Sequence, residues 1–222
     1  RAAHVVSEGW MSRGIEAANA KLAFARVIVP ETDDPRALVV ELNLPVSKSD
    51  IQGCGKARRL RCGCGTLEKR NCAAHVLVEH VRTRERETGI KHTAEEAWGV
   101  PLFPAKGGGT ATKKQVVSAW QLLAPPDHPA VGGHSPRRSG AKRRAREGWS
   151  LSAIQHLGRW ASSAVLAYVE EALAELVPGG QRSFLEKVEE WDAPLLEPSE
   201  RIKRVEASLT VSRKQGAELL LR

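Results

Sequence analysis

The sequence predicts an α+β fold, mainly α with a small antiparallel β-sheet. Two patterns carry this. Apolar residues recur at the three-and-four spacing of a helix through most of the chain, whereas β-branched, partly alternating apolar runs are confined to one stretch near residues 27–62. Turn formers break that stretch into short pieces, which makes the pieces neighbours in one small sheet.

"GWMSRGIEAANAKLAFARVIV" begins with a helical face of Ile15, Ala18 and Leu22 and passes into the β-branched "VIVP". "ALVVELNLPVSKSDIQGCGKARRLRCGCG" holds three apolar runs interrupted by "SKSDIQGCGK", so Lys48 falls at or near a hairpin. "NCAAHVLVEHVRTRERETG" is a helix with Ala73, Leu77 and Val81 on its apolar face, Asn71 as N-cap and Gly89 as stop. "PLFPAKGGGTATKK" is loop, and "KKQVVSAWQLLAPP" returns to helix until the prolines end it. "SPRRSGAKRRAREGW" and "SLSAIQHLGRW" are two further helices, the first with a dense basic face, the second capped by Ser150 or Ser152. "ASSAVLAYVEEALAELVPGG" is a last strong helix, stopped at Pro178 and Gly179, with Tyr168 inside it. The expected division is a main domain over residues 1–175 and, over 176–222, a charged helical tail that packs on the domain or on a partner.

Lys and Arg number 34 against 26 Asp and Glu, a net charge of +8 whose field favours a polyanion without separating DNA from RNA or acidic lipid. No run approaches the roughly 18 apolar residues of a membrane span, and the start has no basic-then-apolar leader. The expectation is a soluble intracellular protein with no membrane partner, nuclear in a eukaryotic cell. The chain opens on Arg1 rather than Met, which suggests a fragment or processed piece that lacks an N-terminal domain.

Tyr168 is the only tyrosine. A phenol ionises near pH 10, so as a nucleophile it needs a polarised electrophile and a nearby cation or base. "GHSPRRSG" offers both kinds of group, His134 and Arg137, in an HxxR spacing that sets imidazole and guanidinium about one helical turn apart. "RGIEAANA" adds Arg13 with Glu16, "VSKSD" adds Lys48, and "LGRW" adds Trp160 eight residues before Tyr168.

In that order these motifs resemble the catalytic domain of the tyrosine recombinase, or phage-integrase, family. The resemblance runs over about residues 9–172 and implies a site of Arg13 in an RxxE helix, Lys48 on a β-hairpin, His134, Arg137, Trp160 and the nucleophile Tyr168. Either Trp160 or Arg159 takes the His/Trp position, and Lys56 is an alternative near the hairpin. The implied activity is site-specific breakage and rejoining of double-stranded DNA through a 3′-phosphotyrosine link, by a tetramer on paired sites, in a protein of a mobile element. Two guanidiniums clamping the phosphate oxygens would replace the metal ions of other phosphoryl-transfer enzymes, so no cofactor is expected. Arg138, Lys142, Arg143 and Arg159 are the expected contacts to the DNA backbone. Two departures from the family pattern stand out: Pro136 lies within HxxR, and basic residues fill helix positions that are usually apolar.

Taken singly, each residue has a plainer role: Tyr168 and Trp160 in a core, Arg13 paired with Glu16 or Glu8, Lys48 in a solvated turn, the basic helix as a hydrated face. The four cysteines, Cys54, Cys62, Cys64 and Cys72, follow C-x7-C-x-C-x7-C, unlike the paired CxxC of zinc ribbons, although His75 could add a ligand. Free thiols and no metal are expected. The alternatives to a recombinase are a relative that binds DNA without chemistry and a zinc-stabilised nucleic-acid-binding module.

Overall fold

A computed structural model describes residues 1–29, 37–44, 56–64, 68–126, 130–160, 163–176, 199–200, 202–203 and 205–207. The chain is mixed α+β and divides into two compact units, Arg1–Arg137 and Arg138–Arg222.

The first unit opens with helices α1 (Ala2–Gly9) and α2 (Gly14–Ala18). Strands β1 (Ala25–Val29), β2 (Val39–Leu44) and β3 (Lys56–Arg61) follow in one antiparallel sheet of order β1-β2-β3. The small sheet expected from the alternating runs is thus present. Val40, Leu42 and Leu44 alternate onto one face of the central strand and are buried, with Leu60 opposite Val40. Helix α3 (Ala73–Thr88) packs on the sheet, and α1 packs on α3. Their crossing is close: a Cβ on Gly9 would lie 2.3 Å from that of Ala73. Burying each such Leu or Val contributes about 1.5–3 kcal/mol, and these residues with Trp10, Leu77, Val81 and Leu102 form the core.

Gly89 ends α3 in the left-handed conformation at φ 71°, as its stop signal predicts. The start is corrected by one residue. Asn71 belongs to a 3-10 turn over Lys69–Asn71, so Cys72 takes the N-cap position. Helix α4 (Lys113–Gln121) has a Thr112–Gln115 capping box, and α5 (Ser135–Arg146) begins in this unit.

In the second unit α5 continues and is followed by α6 (Leu151–Gly158) and α7 (Val165–Leu176). Ser150 caps α6, its hydroxyl accepting the Ala153 N–H at 3.2 Å. Leu151, Ile154 and Leu157 of α6 and Val165, Leu166, Val169 and Ala172 of α7 are buried. The described part of the C-terminal stretch is helical; Val205 is buried and Glu206 accepts the Leu151 N–H at 3.1 Å, adding a carboxylate to the α6 N-terminus. Among the described residues no helix is long and apolar enough to cross a membrane.

Candidate active site

Arg13 stands at the N-cap of α2 in extended conformation. The buried Glu16 accepts the Arg13 backbone N–H at 2.9 Å and lies 3.8 Å from its guanidinium, so the RxxE spacing both caps the helix and steadies the arginine. The Arg13 side chain remains 23% exposed, and its buried Nε has no hydrogen-bond partner among the described residues.

The turn before Arg13 is unusual. Met11 has φ 50°, a left-handed conformation that a non-glycine residue adopts only when its surroundings impose it. Those surroundings are two guanidiniums. Arg58 of β3 donates from Nη1 to the Trp10 carbonyl at 2.7 Å, while the Trp10 indole N–H returns a bond to the Arg58 carbonyl at 2.9 Å. Arg137 donates from Nη1 to the Met11 carbonyl at 3.0 Å. One residue beyond Arg13, the Gly14 N–H donates to the Gly133 carbonyl at 2.8 Å. A Cβ on Gly14 would come within 3.3 Å of the Gly133 Cα, so the close approach favours glycine.

The Met11–Gly14 turn and the "GGHSPR" segment are therefore bonded to each other at two points. His134, exposed, immediately precedes α5, and Arg137 is buried one turn into it. Pro136 lies in the first turn of α5, where a missing N–H removes no intrahelical bond, so HxxR opens an ordinary helix. Lys48 lies outside the described residues; of the alternative Lys56, only its backbone place at the start of β3 is described.

Trp160 and Tyr168 meet in the second unit. Their ring centroids are 6.1 Å apart with planes inclined at 55°. Arg159 ends α6 at φ 55°, which turns the chain back so that the Trp160 N–H reaches the Gln155 carbonyl at 3.1 Å. The Trp160 ring then lies against Gly158, where a Cβ would fall 1.7 Å from the ring's Cζ3. Tyr168 is half-buried on α7.

The basic face of α5 faces acidic partners on α7. Arg138 holds Glu171, with Nε 3.1 Å from Oε2; Lys142 reaches Glu171 at 3.2 Å and also pairs with Glu175, and Arg146 pairs with Glu175. The Arg138 hydrogen bond is the main cause holding the Glu171 carboxyl below its usual range, against some desolvation. Glu175 is also lowered: desolvation pushes it up, but the bonds from Lys142 and Arg146 outweigh that. Arg143 lies 3.7 Å from Glu147, the residue just past the end of α5. Of the residues expected on the DNA backbone, Arg138, Lys142 and Arg143 thus have carboxylate partners within the fold, and Arg159 serves as the C-cap of α6.

A second cluster lies at the end of β3. Cys62, Cys64, Cys72 and His75 bring their ligand atoms within 4.8 Å of one another. Three thiols and an imidazole are gathered where separate free thiols were expected; Cys54 lies outside the described residues. Burial tends to raise the Cys72 thiol, but bonds from the His75 and Gly63 backbone to its sulfur prevail and bring it down to about 7. Burial first, then hydrogen bonding with Cys62, pushes Cys64 up to about 12.

One buried residue escaped the reading of the sequence, and the convergence of the cysteines with His75 was weighed there but not expected. "KARRLR" looks like a solvated strand, yet Arg58 shares the period-two face of Leu60 and is buried with it; that periodicity was the available signal. The cysteine spacing hid the cluster because a turn and a helix start, rather than a CxxC knuckle, bring its ligands together. No model of a known protein family matches the chain, and no curated protein matches it.

Proposed function

We propose that the protein is a DNA strand transferase of the tyrosine recombinase kind, with Tyr168 as nucleophile. The observation that carries this reading is the bonding of the Arg13 turn to the HxxR segment, 126 residues apart between Met11 and Arg137. It joins two cationic motifs that nothing local requires to meet.

In this reading Arg13 and Arg137 hold the non-bridging oxygens of one DNA phosphodiester, where two planar guanidiniums stabilise the charge that builds as the phosphorus is attacked. The Tyr168 hydroxyl gives up its proton, with His134 as the exchanging group, and its oxygen bonds to phosphorus. The bond to the 5′-oxygen breaks, and Lys48 protonates that leaving group. The 3′-phosphotyrosine link conserves the bond, so a 5′-hydroxyl from the same or another strand reverses the step. Trp160, ring to ring with Tyr168, positions the phenol. Double-stranded DNA is the partner, in keeping with the +8 charge.

A nicked suicide duplex, from which the cleaved fragment diffuses away, tests this. Wild-type protein is expected to form a covalent adduct that survives denaturation, and Tyr168→Phe to form none. An adduct undiminished in Tyr168→Phe removes the assignment; duplex binding without any adduct favours the relative that binds DNA without chemistry.

A further inference from the structure

We infer that Cys62, Cys64, Cys72 and His75 form a structural zinc site that ties the end of β3 to the start of α3. The inference is independent of the DNA chemistry above.

The geometry is that of a tetrahedron around one ion. Zinc takes thiolate sulfur at about 2.3 Å and imidazole nitrogen at about 2.0–2.1 Å, so ligand-to-ligand edges come to about 3.8 Å between sulfurs and about 3.5 Å between sulfur and nitrogen. Here the Cys62 and Cys72 sulfurs are 3.9 Å apart, and His75 Nδ1 lies 3.5 Å from the Cys62 sulfur and 3.3 Å from that of Cys64. A disulfide between Cys62 and Cys72 needs sulfurs at about 2.05 Å and leaves Cys64 and His75 without a reason to converge. Ligand atoms all within 4.8 Å of one another surround one ion and leave no room for the bridging sulfides of an iron–sulfur cluster.

Two of the three sulfurs accept backbone hydrogen bonds. The Gly63 N–H donates to the Cys72 sulfur and the Cys64 N–H to the Cys62 sulfur, each at 3.3 Å, the outer-shell bonds that orient metal-bound sulfur. Cys72 and His75 are buried, and Cys62 and Cys64 half-buried. Four protein ligands fill a tetrahedral shell, which marks a structural rather than a catalytic ion. The ligands also lie where a tie has an effect. Cys62 directly follows β3, whereas Cys72 and His75 occupy the N-cap and first turn of α3, the helix that packs on the sheet. The spacing is C-x-C-x7-C-x2-H.

The test is metal content and spectrum, neither of which depends on DNA joining. The full chain, purified under reducing conditions, is expected to carry one zinc. After replacement by cobalt it should show the thiolate charge-transfer and tetrahedral d–d bands of a site with three sulfur ligands and one nitrogen. Cys64→Ser and His75→Ala are expected to bind at least about tenfold less zinc, and a chelator is expected to lower the melting temperature of the wild type but not of these variants. A wild type that takes up neither zinc nor cobalt overturns the inference, as does full zinc in the Cys62→Ser/Cys64→Ser double variant. If a variant does not fold, the cobalt spectrum of the wild type still decides.

Discussion

Gly158 fixes where the Trp160 ring lies, because any side chain there would occupy the ring's own volume. Gly158→Ala should therefore displace the ring from Tyr168. We expect a loss of about 1–3 kcal/mol in stability, from thermal unfolding, and a fall of about tenfold or more in the rate of adduct formation, with duplex affinity nearly unchanged. An unaltered rate would show that Trp160 does not position Tyr168. The two non-glycine residues with positive φ among the described residues, Met11 and Arg159, lie two residues before Arg13 and one before Trp160. Backbone strain of this kind persists only where neighbours hold it, and at Met11 the holders are Arg58 and Arg137. Single residues were legible in the sequence where spacing names a local partner, as with Arg13 and Glu16 in RxxE, which pair at the start of α2. Arg58 was not, because an arginine in a strand reads as solvated until its partner strand is known.

Helix α7 is held on α5 by a ladder in which Arg138, Lys142 and Arg146, each four residues apart, face Glu171 and Glu175, also four apart. Exposed pairs of this kind are screened, so the whole ladder is assigned only about 1 kcal/mol. Both carboxyls titrate below their ordinary value in the fold, so their stabilisation is present above about pH 4.5 and lost as pH falls through the lower folded values. Glu171→Gln/Glu175→Gln should lower the melting temperature by about 2–4 °C at neutral pH and low salt. The difference from wild type should shrink in high salt and vanish in acid. A deficit that persists at low pH would show that the glutamines disturb packing rather than charge. The helices were readable because their apolar spacing and stops are local. The ladder was not, since a run of basic residues looks the same whether it faces water, DNA or the acidic face of a later helix.

The fold class was legible as a whole because runs of period two occupy one stretch and helical spacing the rest. The division at Arg137 and Arg138 was not, since it falls inside α5, where neither composition nor glycine and proline content changes. Part of the α5 face is paired internally within a chain of net charge +8, and in the proposed reading the remaining excess of cations meets DNA phosphate. Duplex binding is expected to weaken by about tenfold or more between about 50 and 200 mM salt, the loss that about two neutralised phosphates give. Affinity independent of salt would mean that the charge has no such partner.

Mass mapping of the adduct formed on a suicide duplex, after nuclease trimming and proteolysis, reads the nucleophile itself. One modified peptide should carry the 3′-phosphonucleotide on Tyr168, within "AVLAYVEEALAEL". The same mass on a serine, threonine or cysteine, with Tyr168 recovered unmodified, would contradict the mechanism.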